Sequence, residues 1–121
     1  MEKKRFNPQI LTGPFSLPNK IPDIIKRYPG NGRLDDYREK NFKQSLTHLK
    51  YSVLQLLTGF AIGALAYPDL RSNTVEAKDI IAASISLIPL AFSAFHDIAF
   101  TKGVINEKAA RKIQDRVGTN I

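Results

Sequence analysis

YSVLQLLTGFAIGALAY, Tyr51 to Tyr67, and IIAASISLIPLAFSAF, Ile80 to Phe95, are the two stretches that decide the reading of this chain. Only the twelve residues Pro68 to Asp79 separate them, and the second resumes after His96-Asp97 as Ile98-Ala99-Phe100. As helices they reach roughly 24–26 Å at about 1.5 Å per residue, close to a bilayer core of about 30 Å. A soluble fold would have to cover two helices apolar on every side. The rest of the 121 residues offers only short amphipathic pieces for that purpose. The expected fold is therefore all-α: a two-span transmembrane helical hairpin with an extended Pro-rich N-terminal arm and a short amphipathic C-terminal helix.

The arm is expected over residues 1–33. Five of the seven prolines fall in the first 29 positions, which disfavours helix there. Interleaved apolar residues, from Phe6 and Ile10 to Ile24 and Ile25, suit an arm laid on a partner or on the chain's own helices. The hairpin is expected over 34–101, with spans at about 49–67 and 79–100. Asp35, Asp36 and Glu39 favour a helix start near Leu34, and Pro68-Asp69 is expected to end that helix. Asn73-Thr74-Val75-Glu76 resembles a capping box and places the second start near Thr74. Pro89 predicts a kink over 85–89, with Ser86 helping to satisfy the carbonyl of Ile85. Lys102-Gly103 reads as a break. A polar helix capped by Asn106 is then expected within 102–121.

Charge sets the orientation. Residues 1–50 carry eleven Lys/Arg against five Asp/Glu, and 102–121 carry five against two, while the loop 68–79 is net acidic. Basic flanks stay on the side of insertion. Both termini are expected on the cytoplasmic side, or the matrix or stromal side, of a bacterial or organellar inner membrane such as that of a mitochondrion. The net charge of +7 then reflects orientation and attraction to anionic lipid. Nucleic acid is not an expected partner, since no helix-turn-helix, zinc or RNP pattern accompanies the basic residues. The absence of cysteine excludes disulfides and thiolate metal sites.

Few residues carry candidate chemistry. Gly59 and Gly63 form GxxxG, which lets helix backbones approach closely, most simply against Ala82, Ala83 and Ser86 of the second helix. Asp97 needs a partner inside an apolar segment. A hairpin centred near position 73.5 puts Lys50 level with it, so a Lys50–Asp97 ion pair is expected. The same arithmetic brings His48 and His96 within about a turn in depth. Those two rings are the candidates for axial ligation of haem, or of chlorophyll by one of them. Interfacial histidines without ligand are the plainer reading, and no other cofactor or metal is expected.

No GxSxG, HExxH, Walker or GxGxxG pattern is present, so no catalytic residue is assigned and an enzyme is not expected. The expected function is that of an accessory, structural subunit of a larger membrane complex of respiratory-chain or photosynthetic type, with the other subunits as partners. The alternative is a self-assembling two-span pore, holin-like or membrane-permeabilising, using Gln55, Thr58, Ser84, Ser86 and Ser93 as its polar lining. A tetrapyrrole-binding membrane subunit is the third reading. No residue string ties the chain to a known family.

Overall fold

The computed structural model describes residues 9–119. Among them it is all-helical, with α1 at Gln9–Thr12, α2 at Asp23–Arg27, α3 at Arg33–Ala64, α4 at Tyr67–Arg71 and α5 at Ala77–Thr119. The start of the expected arm, including Phe6 and Pro8, lies outside the described residues. The chain divides into two compact units. Of the described residues, one takes in those up to Phe15 together with Lys50–His96, and the other Ser16–Leu49 together with those from Asp97 on.

In the first unit the second half of α3 and the first half of α5 pack antiparallel. Ser52 and Ser93 meet at their hydroxyls, 3.3 Å apart, and the Ser93 hydroxyl also donates to the Ser52 carbonyl at 2.9 Å. Ser52, Gln55 and Gly59 on α3, and Ser86, Pro89, Ser93 and His96 on α5, are buried. The large apolar side chains point the other way. Leu57 is 61% exposed, Phe60 63%, Leu87 64% and Ile88 58%, so the usual distribution of a water-soluble pair is inverted. An apolar solvent rewards this arrangement, because polar groups must then find partners inside and small ones let the backbones close up.

The connection between the helices departs from expectation in two places. α3 ends at Ala64, before Pro68, where the amides of Leu65 and Ala66 turn to carbonyls three residues back, at 3.1 Å each. Pro68 instead opens α4, where its missing N–H costs nothing. α5 starts at Ala77, not near Thr74. Asn73 sits in the left-handed region at φ 57° and the Thr74 amide bonds to the Asp69 carbonyl, which spoils the expected capping box. Its function passes to the buried Asp79 carboxylate, which accepts from the Glu76 amide at 2.9 Å. Within α5, Ser86 donates to the carbonyl of Ala83 at 2.6 Å and not to that of Ile85.

The second unit is built the conventional way. Ile21, Leu34, Tyr37, Ala110 and Ile113 form a buried apolar cluster with Ile25 against it. Charged residues lie outward, and Arg38 meets Glu107 at 2.6 Å. Here the expected break at Lys102-Gly103 is overturned, since α5 runs unbroken through both residues. The expected separate C-terminal helix is the last third of α5. Asn106 is not a cap: it lies inside the helix and donates to the Asn19 carbonyl at 3.0 Å. Gly103 serves packing, because a Cβ there would overlap Ser45.

Among the described residues one helix, α5, is long and apolar enough to cross a membrane, and its apolar window is only 28% buried. α3 falls short. Its early end leaves Tyr51–Ala64 as the uncharged run, about 21 Å of helix against a core of about 30 Å.

Candidate functional site

In each unit side-chain donors are aimed at backbone carbonyls of the proline-rich segment and the end of α1 that precedes it. Residues 13–22, between α1 and α2, are in no regular structure, and Pro14, Pro18 and Pro22 have no N–H to offer. The carbonyls of such a segment remain to be satisfied, and when covered they need donors from elsewhere.

In the first unit Gln55 donates its amide to the Leu11 carbonyl, and His96 Nε2 lies 2.6 Å from the Thr12 carbonyl. A carbonyl only accepts, so that ring nitrogen carries the proton. Gly13 follows at φ +83°, so close to the Tyr51 and His96 rings that a Cβ would sit 2.7–2.8 Å from them. Glycine is required there for both reasons. Phe15 then packs against Phe92 and Phe95, with ring centroids 5.6 and 5.9 Å away.

In the second unit His48 Nε2 meets the Ser16 carbonyl at 2.8 Å and Gln44 donates to Leu17 at 3.2 Å. The Tyr37 hydroxyl donates to the Asn19 carbonyl, which Asn106 also reaches. Burial, then the nearby Glu107 carboxylate, pushes the Tyr37 phenol above its ordinary range, so it keeps its donor proton. Glu107 in turn holds Arg38 by a side-chain hydrogen bond that raises the guanidinium pKa further.

This geometry revises the histidine expectation. His48 and His96 are both 0% exposed, and each spends Nε2 on the arm. Axial ligation through Nε2 would require the arm to leave, so the tetrapyrrole reading loses its basis. The expected packing set divides. Gly59 lies against Leu90 and the Ser86 carbonyl, and Gly63 against the Ser86 side chain, whereas Ala82 is half-buried and Ala83 exposed. Lys50 and Asp97 are both exposed, one in each unit. Of the expected pore lining, Thr58 and Ser84 are exposed, with Thr58 bonded to its own helix at Leu54. Gln55, Ser86 and Ser93 are buried in the seam.

Sequence reasoning missed the donors to the arm as a set. What the sequence does carry is the buried seam of α3: Asn41, Ser45, His48, Ser52, Gln55 and Gly59 recur at steps of three and four, a small and polar stripe to which only His48 and Gln55 of the donors belong. No group of three or more His, Asp or Glu side chains is placed to hold a metal among the described residues. Comparison with protein families, with characterised proteins and with solved structures gives no match. The functional argument therefore rests on the geometry.

Proposed function

We propose that the chain is a non-catalytic accessory subunit of a membrane protein complex, anchored as a two-span hairpin in which α5 crosses the bilayer and the shorter apolar run of α3 beside it is accommodated by local thinning of the bilayer. The inverted first unit carries this reading: Ser52, Gln55, Ser86, Ser93 and His96 are buried inside, while large apolar side chains such as Leu57, Phe60, Leu87 and Ile88 face outward. Such a surface suits lipid or the apolar flank of another membrane subunit. The arm supports a static role. Its carbonyls are held at five residues, Leu11, Thr12, Ser16, Leu17 and Asn19, an arrangement that suits a fixed docking platform. The pore alternative draws less support, because Gln55, Ser86 and Ser93 are occupied within the unit and Gly59 is covered by Leu90.

The test is extraction of the native membrane in mild detergent, native-gel separation and mass spectrometry of the band holding this chain. Co-migration with fixed partners in a large assembly is the expected result. Migration as a homo-oligomer would put the pore first, and recovery in the soluble fraction would refute the membrane anchor.

A further inference from the structure

The second unit contains a cleft of about 710 Å³ between α3 and α5, within the range of small-molecule sites. Its walls include Phe42, Phe100 and Val104. Asn41 and Ser45 also line it, and both are more than nine-tenths buried. Asn41 Oδ1 and Ser45 Oγ have no hydrogen-bond partner. The Asn41 amide is not free to turn, because its Nδ2 donates to the Gly103 carbonyl at 2.9 Å. Oδ1 is therefore a fixed acceptor lacking a donor, and a buried acceptor without one is destabilising. The rim carries three acidic and three basic side chains, so it selects no net charge.

We propose that this cleft binds an uncharged, hydroxyl-bearing amphiphile of the monoacylglycerol type. Its chain lies against Phe42, Phe100 and Val104, and a head-group hydroxyl donates to Asn41 Oδ1 and meets Ser45 Oγ. Both polar atoms are enclosed, so the head group reaches them only when side chains lining the cleft move. Phe42 and Val104 are exposed, and exposed side chains change rotamer rapidly. The inference goes beyond the accessory-subunit reading and holds whichever partners the chain has.

The experiment is titration of the full chain in detergent with 1-oleoylglycerol and with methyl oleate, followed by native mass spectrometry. These probes share a chain and differ in hydroxyl donors. Retention of 1-oleoylglycerol about three- to tenfold tighter than methyl oleate is expected, the value of one or two hydrogen bonds. Ser45→Ala should narrow that gap. Val104→Trp, which adds bulk to the apolar wall and leaves Asn41 and Ser45 in place, should abolish retention of both. Circular dichroism establishes that each variant is folded. Equal binding of the two probes, binding unchanged in Val104→Trp, or no binding of either would overturn the proposal.

Discussion

Gly59 and Gly63 lie one turn apart on α3, yet a methyl group meets different surroundings at each. At Gly59 an added Cβ would stand 2.6 Å from a Leu90 methyl and 3.2 Å from the Ser86 carbonyl; at Gly63 the nearest atom is 3.7 Å away. Gly59→Ala is expected to destabilise by about 1–3 kcal/mol through overpacking. Gly63→Ala should be neutral or stabilising by up to about 1 kcal/mol, the helix-propensity gain. Thermal unfolding followed by circular dichroism in detergent separates the two; equal losses would disprove the contact geometry. Asp69 supplies a pH test. Its carboxyl is held above the usual range, first by a hydrogen bond to the Asp79 side chain and then by desolvation. A raised folded pKa means the fold favours the protonated form. That stability is complete below the unfolded pKa and is lost as pH rises through the folded one. Asp69→Asn fixes the neutral form, so its melting midpoint should exceed the parent's at neutral pH, and the gap should close on acidification.

Among the elements, α5 shows how a glycine can be read wrongly. Gly103 looks like a stop because glycine costs a helix about 1 kcal/mol relative to alanine. The structure uses it as a gap: an added Cβ would lie 1.8 Å from Ser45 Oγ and 2.8 Å from Ser45 Cβ. Gly103→Ala should therefore destabilise in spite of better propensity, and Ser45→Gly beside it should restore part of the loss in urea unfolding. The arm is the second instructive element. Its proline content was legible as non-helical over residues 13–22, whereas α1 and α2 correct the expectation of an arm extended throughout; which groups would hold it was not legible, because backbone acceptors leave no mark in the side-chain pattern. Losing one buried donor costs about 1–3 kcal/mol. His48→Phe should thus speed tryptic cleavage after Lys20 by about fivefold or more, through easier local opening. An unchanged rate would mean that the His48–Ser16 bond does not restrain the arm.

At the scale of the whole molecule the prediction concerns what surrounds the first unit. Leu57 and Ile88 are 61% and 58% exposed. If they face lipid, Leu57→Lys and Ile88→Lys should each cost about 2.5–3.5 kcal/mol of insertion, depending on depth. At a water-facing site the same changes fall within about 0.5 kcal/mol. Retention of each variant in carbonate-washed membranes reads the difference, and undiminished retention of both would argue that this face does not meet the bilayer core. Leu46→Lys on the second unit, also exposed, is the matched control.

The sequence by itself determined that the chain is helical, where its apolar mass lies and that the proline-rich residues 13–22 stay out of regular structure, though not that the short helices α1 and α2 would flank them. Those properties follow from composition and period, which act locally. Even the pairing arithmetic was legible, since a short loop forces an antiparallel register and the Tyr51 and His96 rings stand 5.7 Å apart as that register requires. Tertiary structure alone decided where α3 stops, that α5 passes through Gly103, and that both histidines turn inward to hold the arm. Each depends on a partner remote in sequence: Ser45 for Gly103, Ser16 for His48, Thr12 for His96. A residue's own propensity carries no record of such a partner. Tertiary structure also decided that the polar stripe faces inward and the aliphatic one outward in the first unit, because either face of α3 could have been buried until α5 presented its own small and polar side to it.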